Sequence, residues 1–121
     1  MKKLVCGVVL GWLVVSAGML RAQQPISDKV VQPQVLLDND KYIVQRYVLE
    51  PGEGTPVHPH NREHIAIVIR GSKLRYRDIN GNVTEAVMAT DTAKLVSPKP
   101  AHSFMNVGNT TYEEVSVEVK R

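Results

Sequence analysis

The sequence predicts an all-β sandwich or barrel in a single domain. Three observations carry that prediction. After residue 24 no stretch sustains a 3.6-residue apolar period, so amphipathic helices are not expected. Short runs of β-branched and aromatic residues recur with Gly, Pro, Asn and Asp between them. Two of those runs, at 73–79 and 112–120, alternate polar and apolar residues as half-buried strands do. The 121 residues fit one domain, and no internal repeat or low-complexity tract marks a second.

The first 22 residues are not read as fold. Lys2 and Lys3 give a basic start, residues 4–19 are almost wholly apolar, and small Ala22 follows soon after. This is the layout of a cleavable secretory signal peptide over 1–22, with Ala17 as the other cleavage position. The rival is an N-terminal membrane anchor. Its apolar run of about 16 residues is short of the roughly 20 that a spanning helix needs. Cys6 lies inside the run, too early for a lipoprotein cysteine. The expected location is the periplasm or the exterior, with no stable membrane insertion once the leader is removed.

Residues 23–33 are polar, carry Pro25 and Pro33, and are expected to be a flexible lead-in to a domain over 34–121. A short strand at 35–37 meets the turn Asp38-Asn39-Asp40. Residues 41–50 (KYIVQRYVLE) have strand composition, and Pro51-Gly52-Glu53-Gly54 ends them. Pro56 and Pro59 keep the next segment extended, because proline fixes φ and biases its predecessor away from helix. Residues 64–70 (HIAIVIR) form a near-continuous apolar run, which predicts a strand buried on both faces. Gly52, Gly54 and Gly71 are read as turn positions needing unusual φ.

After Gly71-Ser72, the strand at 73–79 places Leu74 and Tyr76 on one face and Lys73, Arg75 and Arg77 on the other. Asn80-Gly81-Asn82 is a strong hairpin signal, and 83–88 pairs back across it. Residues 89–91 turn, and 92–97 form the next strand. Pro98-Lys99-Pro100 excludes helix and leads to His102. A strand at 103–107 and a turn at 108–110 precede the last strand. There Val115, Val117 and Val119 alternate with Glu114, Ser116 and Glu118.

Charge excludes one class of partner. The chain has 15 Lys and Arg against 12 Asp and Glu, but Lys2, Lys3 and Arg21 belong to the leader, which holds no acid. The remaining chain carries as many acids as bases, so nucleic acid and acidic membranes are not expected partners. The one cysteine also leaves with the leader, so the domain rests on its core without disulfides.

All four histidines fall in two short segments: His58, His60 and His64 in one, and His102 in PKPAHSFMN. Residues two apart on an extended segment share a face, so His58 and His60 point together. His64 keeps their parity if the strand is unbroken, and Glu63 then points away. Several imidazoles on one inner face suit a divalent transition metal. Four neutral imidazoles leave the ion's charge uncompensated, which favours an anionic ligand. Phe104 shares parity with His102 and is the foremost candidate for the pocket wall. Arg46, Tyr47, Arg75, Tyr76 and Met88 are further candidates for the mouth. Arg70, Arg75 and Arg77 also read as a solvated edge that discourages strand addition.

At this point the chain resembles the cupin superfamily. That family's first motif is G-x5-H-x-H-x3-E-x6-G. Gly52, His58, His60, His64 and Gly71 meet its spacing, with His64 where the family has glutamate. The second motif ends H-x3-N after a proline. Pro98, His102 and Asn106 meet it, with Pro100 where glycine is usual and one residue fewer before the histidine. The similarity spans about residues 35–120 and is to small, secreted, single-domain bacterial members. It implies a cupin jelly-roll β-barrel, a double-stranded β-helix, with a divalent transition metal (Fe, Mn, Ni, Cu or Zn) in its mouth. The ligands it implies are His58, His60 and His102 on the family's histidine positions and His64 on its glutamate position. Glu63 is the alternative fourth ligand if the turn twists, and Asn106 is expected to bond backbone beside the site.

The resemblance implies two functions. One is a metal-dependent enzyme, dioxygenase-, isomerase- or decarboxylase-like, acting on a small organic substrate. The other is a non-catalytic secreted module that holds a metal or small ligand. No catalytic residue is assigned. A homodimer formed through the sheets is a further expectation.

Overall fold

The structure, a computed structural model, describes residues 21–120 apart from the His60 side chain. Residues 1–20, most of the expected leader, lie outside the described residues. Eleven strands follow in order: β1 (Lys29–Val30), β2 (Gln34–Asp38), β3 (Tyr42–Leu49), β4 (Glu53–Gly54), β5 (His58–His60), β6 (His64–Arg70), β7 (Ser72–Asp78), β8 (Val83–Met88), β9 (Thr92–Val96), β10 (Lys99–Asn106) and β11 (Tyr112–Val119). One sheet runs β1-β4-β10-β7-β8, with β5 also paired to β10; the other runs β2-β3-β11-β6-β9. The all-β expectation holds. The two sheets face each other across a core to which both contribute. Tyr47, Leu49, Val68 and Tyr112 come from the second sheet, and Leu74, Met88 and Phe104 from the first.

The β7–β8 hairpin forms where the sequence places it. Gly81 has φ 85°, its N–H donates to the Asp78 carbonyl, and Asp78 Oδ1 accepts from the N–H groups of Asn80 and Asn82. The register then runs from Ser72 opposite Met88 to Arg77 opposite Val83. Leu74 and Tyr76 face inward, as the alternation predicts, while Lys73 and Arg75 are exposed.

Burial of β6 departs from expectation. Ala66 is 1% exposed and Val68 is buried with it, whereas Ile65 is 43% exposed and Ile69 is also outside. With two layers only, each strand buries one face. The apolar run instead contributes to the outer surface. Leu37, Val44, Val117, Ile65 and Leu95 stand opposite one another across all five strands. Leu95 in that row is 62% exposed. In β11 the valines lie on this outer side, and Tyr112 and Glu114 are buried inside.

The segment at 23–33, read as a flexible lead-in, makes definite contacts. β1 pairs in parallel with β4, Lys29 opposite Glu53 and Val30 opposite Gly54. The Ile26 N–H donates to Ser103 Oγ (3.0 Å), Ser27 Oγ donates to the Gly52 carbonyl (2.6 Å), and Arg77 Nη2 donates to the Gln24 carbonyl (2.8 Å). Linker-like polar composition here conceals a backbone that completes a sheet edge. Of the three glycines read as turn positions, only Gly52 has positive φ, at 89°. Gly54 and Gly71 serve close approach. A Cβ on Gly54 would stand 2.8 Å from the Phe104 carbonyl oxygen, and one on Gly71 would collide with that of Met88.

β10 begins at Lys99, earlier than the strand expected at 103. Its pairing with β5 is irregular between Lys99 and His102, which is where a ladder tolerates Pro100. At its far end Asn106 is fully buried. Its Nδ2 donates to the carbonyls of Leu49 (2.9 Å) and Thr110 (2.7 Å), and its Oδ1 accepts from Ser72 Oγ (2.7 Å) and the Gly108 N–H (3.0 Å). It bonds backbone as expected, but at the end of β10 remote from His102.

Candidate functional site

The other end of the barrel holds a cavity of about 90 Å³ whose lining includes His58, His64 and His102. His58 and His64 do not arrive on one strand. β5 belongs to one sheet and β6 to the other, with a bend at Arg62 between them. Parity along an unbroken strand is therefore not what joins them; they converge because the two sheets face each other. His102 stands opposite His58 in the β10–β5 pairing. Their rings lie 4.6 Å apart, edge to face. Tyr76 stands 5.8 Å from the His102 ring, and Phe104 6.0 Å from that of His58.

The local sequence fixes how two of these rings present themselves. His58 Nδ1 is 3.0 Å from the Pro56 carbonyl oxygen, and His102 Nδ1 is 3.2 Å from that of Pro100. A carbonyl only accepts, so Nδ1 carries the hydrogen in each ring and Nε2 keeps its lone pair. Each ring is thus aimed by the carbonyl of the proline two residues before it. Burial lowers the His58 pKa, with Lys99 adding to it and the Pro56 bond opposing. Burial takes His64 down to about 4, helped by Lys99, His58 and Lys94. It takes His102 down to about 4 as well, helped by His58, Lys99 and His64. Near neutral pH these rings are uncharged, the form that binds a metal.

His60 lies in β5, its backbone opposite Lys99. Glu63 is exposed and lines an outward cavity that His64 also borders, with Arg62, Ile65, Leu95 and Lys120, and it is absent from the lining shared by His58, His64 and His102. Among the described residues no group of three or more His, Cys, Asp or Glu is placed to hold a metal ion. The donor chemistry of the His58–His102 pair fits one nonetheless. Two neutral imidazoles present Nε2 while backbone carbonyls hold Nδ1, which is how metal-ligating histidines are usually oriented.

Of the expected mouth residues, Tyr47, Tyr76 and Phe104 line the pocket. Arg46 and Arg75 face outward, toward Glu113 (3.5 Å) and Glu85 (2.7 Å), and Met88 belongs to the core. Arg70, on β6, pairs with Glu113, and β6 and β7 are both inner strands, so Arg70, Arg75 and Arg77 guard no sheet edge; Arg77 instead holds the N-terminal segment.

The site also contains residues that the sequence reading did not single out. Glu114 is 7% exposed, lines the pocket, and accepts a 2.6 Å hydrogen bond from the Tyr112 hydroxyl. Burial raises its pKa, opposed by the Tyr112 bond and by Lys94 and Lys99. Burial likewise raises Tyr76, and pushes Tyr47 up to about 12, with Glu114 adding to both. Lys94 and Lys99 complete the rim, and burial lowers the Lys99 pKa, with Lys94 adding to it. The alternation in β11 was the signal for Glu114. It shares a face with Tyr112, but alternation alone does not say which face is inner.

A family profile described as a cupin domain matches residues 45–118. A comparison with curated proteins gives no match. Among solved structures, the chain is similar to a cupin domain from Bordetella pertussis, with TM-score 0.66 and 20% identity over 74% of this chain and 92% of that one. It is similar to an uncharacterized conserved protein with a double-stranded β-helix domain from Klebsiella pneumoniae, with TM-score 0.57 and 23% identity over 84% and 85%. It is also similar to a cupin family protein from Methanocaldococcus jannaschii, with TM-score 0.58 and 16% identity over 72% and 77%. At these identities the likeness concerns the fold.

Proposed function

The chain belongs to the cupin domain family, and on that premise we propose that it is an exported protein that binds a divalent transition metal and a small organic ligand in the histidine pocket. The observation that carries this reading is the His58–His102 pair, with rings 4.6 Å apart and both Nδ1 atoms on proline carbonyls. The proposed ligand set is His58, His60, His64 and His102, and the metal is one of Fe, Mn, Ni, Cu or Zn. Such an ion, when bound, polarises a carbonyl or activates water. This chain's own residues bind and shape: Phe104, Tyr47 and Tyr76 wall the space, and the carbonyls of Pro56 and Pro100 orient two of the rings. The leader at 1–22 supports a periplasmic or secreted location. The apolar row Leu37, Val44, Val117, Ile65 and Leu95 supports a homodimer through the outer face of that sheet.

Metal-dependent turnover of the oxygenase, isomerase or decarboxylase type is the second reading. It is favoured by Glu114, a buried acid in the same pocket. The deciding experiment is metal analysis of the chain purified from the periplasm, beside His102→Ala. The expected result is about one equivalent of metal in the native chain and loss of it in the variant. Metal below about a tenth of an equivalent, with no uptake of added Fe, Mn, Ni, Cu or Zn, overturns the proposal. Oxygen uptake and product analysis with small acids, diketones and thiols then separate turnover from binding.

A further inference from the structure

The rim of the pocket carries two ammonium groups that reach it from different sheets. Lys94 lies in the middle of β9, paired opposite the buried Ala66, and so faces inward. Lys99 opens β10 on the other sheet, with Nζ 5.5 Å from the centre of the Tyr76 ring. Both line the cavity that holds His58, His64 and His102. Among the described residues neither has a carboxylate within 4.0 Å, whereas Lys73, Lys120, Arg46, Arg70 and Arg75 each do. Lys94 Nζ lies 3.8 Å from the Met88 sulfur, a weak acceptor. The two ammonium groups repel each other, the buried Glu114 of the same lining acts on both and offsets this only in part, and an anion between them relieves the remainder.

We propose that Lys94 and Lys99 form an oxyanion subsite at the mouth of the pocket, and that the ligand of this protein is a small molecule bearing a carboxylate. The inference rests on reading the pocket as a ligand site and names the ligand's class. The cavity of about 90 Å³ limits the enclosed part to a few heavy atoms. Its lining also includes Glu114 and Glu118. Beside those acids a singly charged carboxylate is better tolerated than a doubly charged phosphate. The lining contains no arginine to clamp a phosphate in a bidentate manner.

The test is an NMR titration of the full chain with acetate, with acetamide as the neutral isostere, and with inorganic phosphate. Each is run on chelator-treated and on metal-supplemented protein. Acetate is expected to bind in both, acetamide in neither. The Lys94→Met and Lys99→Met variants keep the aliphatic stems, and each should weaken acetate by about tenfold, the worth of one charge-assisted hydrogen bond. Lys94→Arg and Lys99→Arg should retain it. Acetate affinity unchanged in the doubly substituted Met variant overturns the subsite, as does an equal loss in the Arg variants, which would mean a packing role. Phosphate binding tighter than acetate overturns the carboxylate assignment. A chain that takes up no metal yet binds acetate through both lysines upholds the subsite and removes the metal reading. A chain with a full equivalent of metal and lysine-independent acetate binding does the reverse.

Discussion

Asn106 and His102 stand four residues apart on the same strand and live in different chemical worlds. At the Asn106 end every polar atom named has a partner, the glycines allow backbone to touch backbone, and Leu49, Leu74 and Tyr112 fill the space between the sheets. At the His102 end the same two sheets leave a cavity and line it with imidazoles, lysines and a buried acid. One barrel thus divides its labour lengthwise. The closed end stabilises the fold, and the open end is kept polar at some cost to stability. The histidines illustrate that cost, because burial there favours the neutral form.

Substitutions at the two ends test that division. The largest effect is expected from Asn106→Leu. It strands the carbonyls of Leu49 and Thr110, the Ser72 hydroxyl and the Gly108 N–H, and each lost buried bond costs about 1–3 kcal/mol. Failure to fold, or a fall of more than about 3 kcal/mol in urea unfolding, is expected, and a smaller fall would break the comparison. Leu74→Ala, at the same end, should cost about 2–5 kcal/mol by the same measurement. His102→Ala should cost the metal-free chain under about 2 kcal/mol while abolishing metal uptake. A larger stability loss would make the open end structural too.

Acidity sharpens the contrast further. His64 and His102 have folded pKa values near 4, below the ordinary value of 6.5. Between those two values the unfolded chain binds more protons than the folded one. Metal-free protein should therefore hold its histidine-linked stability above about pH 6.5 and lose it as pH falls toward about 4. Urea midpoints across that range should show a slope that flattens in a chain carrying both His64→Ala and His102→Ala. The smallest effect is expected from Glu63→Ala, within about 0.5 kcal/mol and with metal content unchanged. Loss of metal in that variant would bring Glu63 back as a ligand.

The strands were easier to read than the faces they bury. Turn residues, proline spacing and the alternation of 73–79 located most strands, because these features act locally. Which face of a strand is buried is a tertiary matter. Strand 64–70 looked buried on both sides because its outward isoleucines resemble core, and β11 hid an acid on its inner face beneath a row of valines. Pairing of the lead-in with β4 was invisible for a similar reason: backbone completes that edge, and polar side chains do not announce it. At the open end the residue types and spacings marked His58, His64 and His102. Lys94, Lys99 and Glu114 had no such mark, since each reaches the pocket only through pairing with distant strands.

The place of β11 has a consequence for how the molecule comes into being. It is the last strand in chain order, yet it sits third of five in its sheet, between β3 and β6. Until it arrives, β3 and β6 have no ladder between them, and neither Tyr112 nor Glu114 is in place. Assembly of that sheet must wait for contacts spanning up to 77 residues, Tyr42 meeting Val119. Such long-range closure makes for folding in milliseconds to seconds rather than microseconds. Removal of β11 would split one sheet into two unjoined pairs, taking the floor of the pocket with it.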